Sequence, residues 1–144
     1  MLYSPTTDDM PTLMELLEME RNGKKPRKPS KNLEHQLQCS EVSYFRAQYP
    51  KLSRLFFAVP NGQKRTEAQT TWLHNEGMVN GVADMILLLP NRGYHCLCIE
   101  NKTKTGRQTP DQRLFQQAIE EQGGKYVIVR SIEQFVKVIK DYME

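Results

Sequence analysis

The sequence predicts an α/β domain, with a mixed β-sheet flanked by helices. Three observations carry this expectation. Four apolar runs have strand length: LFFAVP (55–60), MILLLP (85–90), YHCLCIENK (94–102) and KYVIVR (125–130). The segments between them place apolar residues at helical spacing. Turn signals separate the two kinds of segment, at Pro60-Asn61-Gly62, Asn91-Arg92-Gly93 and Gly123-Gly124. Strands alternating with helices in this way build a layered sandwich.

Taken in order, residues 1–31 read as an N-terminal helix and basic linker. MPTLMELLEMER gives a short amphipathic helix with Leu13, Leu16 and Leu17 on its stripe, and NGKKPRKPSK then lacks the apolar content to pack. That basic stretch serves either as an arm tracking phosphates or as a solvated tether. Residues 32–144 read as the main domain. Ser30 or Asn32 caps a helix over about 33–48, with Leu33, Leu37, Val42, Tyr44 and Phe45 on its buried side. Glu34, Gln38, Glu41 and Phe45 share an adjoining face, and Tyr49-Pro50 ends the helix. After LFFAVP a helix is expected around Glu67–Asn75, with Trp72 as a packing residue in preference to a base-stacking platform. MILLLP and YHCLCIENK form a hairpin across Asn91-Arg92-Gly93. Thr109-Pro110-Asp111-Gln112 opens the next helix: Thr as N-cap, Pro at the first position, Gln three residues after the cap. It carries Leu114, Phe115, Ala118 and Ile119. KYVIVR follows, and Ser131 caps a last helix with Ile132, Phe135, Val136, Val138 and Ile139 inside.

Composition bounds what such a domain does. A chain of 144 residues suits one compact core, and 38% hydrophobic with 26% charged residues excludes wholesale disorder. The net charge of +3 is only mildly basic, but its distribution is uneven. Lys24, Lys25, Arg27, Lys28 and Lys31 cluster early; Lys102, Lys104, Arg107 and Arg113 cluster later. Three cysteines without a framework spacing point to free thiols and a reducing compartment. Cys96 and Cys98 are expected to face opposite sides of their strand, and His35, His74 and His95 lack a metal-ligand pattern. No apolar run has the ~18 residues of a membrane span, and the N-terminus lacks the pattern of a signal peptide. The expected location is cytoplasmic.

The chemistry concentrates at Asp84, Glu100 and Lys102. Asp84 opens the MILLLP strand behind Gly81, whose missing side chain permits close backbone approach. Glu100 lies near the end of the paired strand, so a hairpin brings the two carboxylates together. Glu100 and Lys102 are two apart and share a strand face. Converging carboxylates repel each other, and a hard divalent cation relieves the repulsion. The expected ion is Mg²⁺ or Mn²⁺, which lowers the pKa of a bound water and neutralises phosphate charge. Lys102 then orients that water or holds the phosphate. An isolated ExK triplet is a weak signal, since many strands carry one on a solvated face. The buried CLCI run before Glu100, the glycine-hinged loop before Asp84 and the basic residues that follow strengthen it here.

These segments resemble a known family. GVADMILLLP, YHCLCIENK and TKTGRQTPDQRLFQQAIEEQGGKYVIVRSIEQFVKVIKDYM look like the VRR-NUC branch of the PD-(D/E)xK nucleases, with EHQLQCSEVSYFRAQYPKLSRLFFAVPNGQKR also fitting upstream. The resemblance covers about residues 32–143 and departs from the usual pattern at Ala83, where a proline normally precedes the aspartate. It implies a restriction-endonuclease-like core that hydrolyses DNA phosphodiesters with Mg²⁺ or Mn²⁺. It implies that Glu34, Asp84, Glu100 and the main-chain carbonyl of Asn101 hold the metal, that Lys102 is the catalytic lysine, and that Gln112 supports the site. Stand-alone members resemble Holliday-junction resolvases and act as homodimers, so branched DNA is the implied partner and a bacterial or phage-infected cell the implied setting.

Bland alternatives stand beside these roles. Glu34 also suits the dipole of a helix N-terminus. Glu41 competes with it for the site; Glu34 is favoured because Gln38 follows it at one helical turn. Gln112 sits where a capping box wants it, which divides the residue between two roles. Lys64 and Arg65, with Asn61, are candidate DNA contacts or parts of a plain turn; Lys104, Arg107 and Arg113 are further candidates. The rival functions are a nicking or replication-repair nuclease without junction preference, and a DNA-binding module with a vestigial site.

Overall fold

In the computed structural model a four-stranded sheet is ordered β1-β2-β3-β4, with β1 (Phe56–Ala58), β2 (Met85–Leu87), β3 (Leu97–Asn101) and β4 (Lys125–Val129). Strand β2 runs antiparallel to both β1 and β3, and β4 runs parallel to β3. The helices are α1 (Ser30–Gln48), α2 (Glu67–Asn75), α3 (Pro110–Glu121) and α4 (Ile132–Met143). The structure describes residues 30–60 and 64–144, with side chains from 33 onward. The helix expected at 11–21, nearly all of the basic 24–31 segment and Asn61 lie outside them.

Strand pleating sorts the core into two layers. Odd-numbered Met85, Leu87, Leu97 and Ile99 point to one face, where they meet Phe45 of α1 and Phe135, Ile139 and Tyr142 of α4. Phe45 and Phe56 pack at 4.5 Å between ring centroids, and Phe56 and Phe135 at 5.8 Å. On the other face Ala83, Cys98 and Tyr126 pack with Ile86, Cys96 and Ile128 under Phe115 and Ile119 of α3. A helical layer therefore covers each side of a mixed sheet.

Local signals explain most boundaries. Thr109 caps α3 and Ser131 caps α4, each hydroxyl accepting a backbone N–H three residues on. The β2–β3 connection closes with Arg92 at φ 54° and Gly93 at φ 80°, the doubly left-handed pair that a tight hairpin requires. Asn91 Nδ2 then donates to the Tyr142 carbonyl at 2.7 Å, tying this turn to α4.

Several expectations change. Helix α1 starts at Ser30, so Ser30 and Asn32 lie within it. A 3-10 turn, Pro50–Leu55, follows α1 and takes the first residue of the expected LFFAVP strand. Strand β2 stops at Leu87, and Leu88 is exposed. Leu33 and Leu114 are exposed although they lie on apolar stripes. Trp72 is 68% exposed on a helix with no buried residue, so it is not a packing residue. Cys96 and Cys98 share a face, because residues two apart on an extended chain point the same way. Burial, reinforced by neighbouring Cys96, pushes the Cys98 thiol up to about 12.

Candidate active site

The register of the hairpin determines the site. Met85, the first residue of β2, pairs with Ile99, so the same register carried one residue further sets Asp84 opposite Glu100. Like charges facing each other across a ladder are destabilising, and the chain fixes them there with backbone bonds. The Asp84 carbonyl accepts the Val59 N–H at 2.9 Å, and the Asp84 carboxylate accepts the Asn101 N–H at 2.8 Å. Beyond β3, the Lys102 N–H donates to the Val129 carbonyl at 3.0 Å, which extends the β3–β4 ladder to the lysine.

Glu100 is 2% exposed and receives two donors on one oxygen. Lys102 Nζ lies 3.2 Å from its Oε1, and Gln112 Nε2 donates to that same Oε1 at 2.6 Å. Its Oε2 is buried without a hydrogen-bond partner. Burial raises the Glu100 carboxyl to about 7, with further upward pressure from Asp84 and opposing help from Lys102. Asp84 is also raised, first by burial and then by the charge of Glu34, against the Asn101 bond and Lys102, which lower it.

Gln112 resolves its two readings by performing both. Its Oε1 accepts the Thr109 N–H at 2.9 Å, completing the capping box, while its Nε2 reaches Glu100. The cap therefore aims the amide at the carboxylate. Gly81 brings the two halves of the site into contact. It adopts φ +77°, and a Cβ there would lie 2.4 Å from the Asp111 carbonyl carbon and 2.6 Å from the Gln112 nitrogen. Gly81→Ala is expected to cost about 1–2 kcal/mol from the left-handed backbone alone, plus the clash. Gly77→Ala, at φ +104° with nothing within 4 Å, is the matched control. Thermal melts should show the larger loss at Gly81; equal losses would sink the close-packing argument.

The α1 carboxylates divide. Glu34 is half-buried and acts on Asp84 through its charge. Glu41 is fully buried, accepts Asn101 Nδ2 at 2.9 Å, and its carboxyl is raised by burial to about 7, with a smaller contribution from Asp84. Asn101, whose side chain the sequence did not single out, thus links two faces: its backbone N–H serves Asp84 and its side-chain amide serves Glu41. A contact between residues so far apart in sequence has no local signature. Arg130 was also missed; its guanidinium donates to the carbonyls of Thr103, Lys104 and Gly106 and shapes the loop after Lys102. Lys104, Arg107 and Arg113 are exposed along that loop and the start of α3, whereas Lys64 and Arg65 lie before α2.

Asp84 and Glu100 offer oxygen donors suited to a hard cation, and the orphaned Glu100 Oε2 fits that use. Among the described residues no group of three or more His, Cys, Asp or Glu is placed to hold a metal. Two carboxylates nevertheless match the usual protein share of a Mg²⁺ site, which keeps waters and substrate phosphates as its other ligands.

Among solved structures the chain superimposes on a VRR_NUC domain protein with a TM-score of 0.68 and 22% identity, over 77% of this chain and 88% of that one. The chain shares the VRR_NUC fold. The restriction-endonuclease-like core expected from the sequence, a mixed sheet between helices, is thereby matched at the level of architecture. No family model and no curated protein matches the sequence. Among the described residues of this VRR_NUC-like domain, no helix is long and apolar enough to cross a membrane.

Proposed function

We propose that the chain is a divalent-metal-dependent DNA endonuclease of the VRR-NUC, PD-(D/E)xK kind. The observation that carries this reading is the facing pair Asp84 and Glu100, with Lys102 Nζ 3.2 Å from Glu100. Burial raises both carboxyls, with Glu34 adding to Asp84 and Asp84 adding to Glu100, and a bound cation would offset that cost. Asp84, Glu100 and the Asn101 carbonyl would hold Mg²⁺ or Mn²⁺, with Glu34 or Glu41 adding negative charge from α1. When bound, the ion supplies a water of lowered pKa and neutralises phosphate charge. Lys102 orients the attacking water and stabilises charge on the phosphate, while Gln112 holds the Glu100 carboxylate in place. Lys64, Arg65, Lys104, Arg107 and Arg113 contact the DNA backbone.

A four-way junction is the proposed substrate and a homodimer the proposed state, because two-fold symmetry offers two sites to two strands. The decisive assay incubates matched junction, flap and linear duplex DNAs with Mg²⁺ or Mn²⁺, alongside Asp84→Asn. This variant keeps an acceptor for the Asn101 N–H but removes the charge. Metal-dependent cleavage lost in Asp84→Asn supports the nuclease reading, and preference for the junction supports the resolvase reading. Equal cleavage of all three DNAs leaves a nicking nuclease without junction preference. Cleavage unchanged in Asp84→Asn sinks the assignment.

A further inference from the structure

We propose that the surface hollow beside Trp72 is a stacking site for an unpaired nucleobase of the DNA. The hollow measures about 520 Å³ and is lined by Lys64, Arg65, Ala68, Gln69, Trp72 and Leu73. This volume falls within the range of small-ligand sites. Trp72 is a large aromatic left 68% exposed on a helix with no fully buried residue, so packing does not account for it. Its indole is oriented by a bond from Nε1–H to Glu76 Oε1 at 2.9 Å. The anchor occupies the ring edge, and a base needs only a ring face. Stacking on such a face tolerates any base sequence.

Charge selects the occupant. Arg65 is held in place by Met78 Sδ at 3.1 Å and the Pro60 carbonyl at 3.4 Å, and Lys64 is exposed beside it. Two cations next to an oriented aromatic fit a nucleotide, with its phosphate on the cations and its base on the ring. An uncharged apolar partner makes no use of them. Glu67, in the first turn of α2, opposes a phosphate there, so the phosphate is expected on the Lys64–Arg65 side. The same segment runs from α2 through Gly81 to Asp84, which links the hollow to the proposed catalytic carboxylate along one stretch of chain. An unpaired base held here suits a branch point or flap, where duplex geometry is already interrupted. The inference rests on the nuclease reading for its choice of DNA as ligand.

Trp72 is the single tryptophan of the chain, so intrinsic tryptophan fluorescence reports this position alone. The test titrates the full chain in EDTA, where cleavage is blocked, with an oligothymidylate of about a dozen nucleotides and with a fully paired duplex of equal length. Stacking should quench the fluorescence with the single strand more than with the duplex. Anisotropy of a labelled oligothymidylate should show roughly 10-fold weaker binding for Trp72→Ala and near wild-type binding for Trp72→Phe. Wild-type protein that nicks plasmid with Mg²⁺ but shows no quenching overturns the base site and leaves the nuclease reading standing. Failure of both plasmid cleavage and DNA binding removes both. Fluorescence that changes with protein concentration without DNA, with a doubled mass in light scattering that Trp72→Ala abolishes, assigns the hollow to contact between copies of this chain and overturns the proposal.

Discussion

Replacing Lys102 with alanine is expected to slow phosphodiester cleavage by about 10²–10³-fold, the usual effect of removing one charge-stabilising donor from an active site. Two losses combine. The developing charge on the phosphate loses its ammonium, and Glu100 loses the cation that opposes its burial. Lys102 normally lowers the Glu100 carboxyl towards the ionised form, so residual activity should need a higher pH. Single-turnover nicking of supercoiled DNA across pH 6–9 measures both changes. Binding to the same DNA in EDTA should weaken far less than cleavage, since one phosphate contact among several is lost. A Lys102→Ala enzyme that cuts like wild type shows that the lysine has no catalytic part.

The second large effect concerns pH and metal together. Glu41 and Glu100 hold protons up to about pH 7 when folded, against 4.5 in the open chain. Between those values the folded state binds more protons than the unfolded one, so stability falls as pH rises through the window and levels off above it. The loss is on the order of a few kcal/mol, or about 10 °C in Tm. Asp84, also raised, adds to the same trend; Glu41→Gln keeps an acceptor for Asn101 and removes one of these titrations, so it should flatten the fall measurably. Mg²⁺ requires the ionised carboxylates and should raise Tm more at pH 8 than at pH 5.5. Melting curves of wild type and Glu41→Gln, each in EDTA and in Mg²⁺, read both effects. Identical pH slopes for the two proteins would contradict the buried-carboxyl account.

The fold was legible where local chemistry is strong. Thr109 and Gln112 announce α3, and Asn91-Arg92-Gly93 announces the hairpin whose register makes Asp84 face Glu100. Strand lengths were overread: MILLLP is apolar throughout, yet only Met85–Leu87 form β2, because hydropathy does not reveal where a partner strand ends. The site was legible as far as sequence spacing reaches. Spacing joined Glu100 to Lys102, but it favoured Glu34 over Glu41 only through Gln38, although both glutamates lie on one face of α1. What distinguishes them is the bond from Asn101 to Glu41, a tertiary contact. Trp72 was misread for a related reason. An aromatic in a helix resembles core until the helix is seen to hold no fully buried residue.

The Arg130 clamp has a consequence for how this domain can change. It grips the carbonyl oxygens of Thr103, Lys104 and Gly106, atoms that every residue supplies. The path of the loop is thereby insulated from its own lettering. Side chains at Lys104 and Arg107 can be exchanged without dismantling the turn that follows Lys102, so the loop behaves as a mount onto which different nucleic-acid contacts can be fitted.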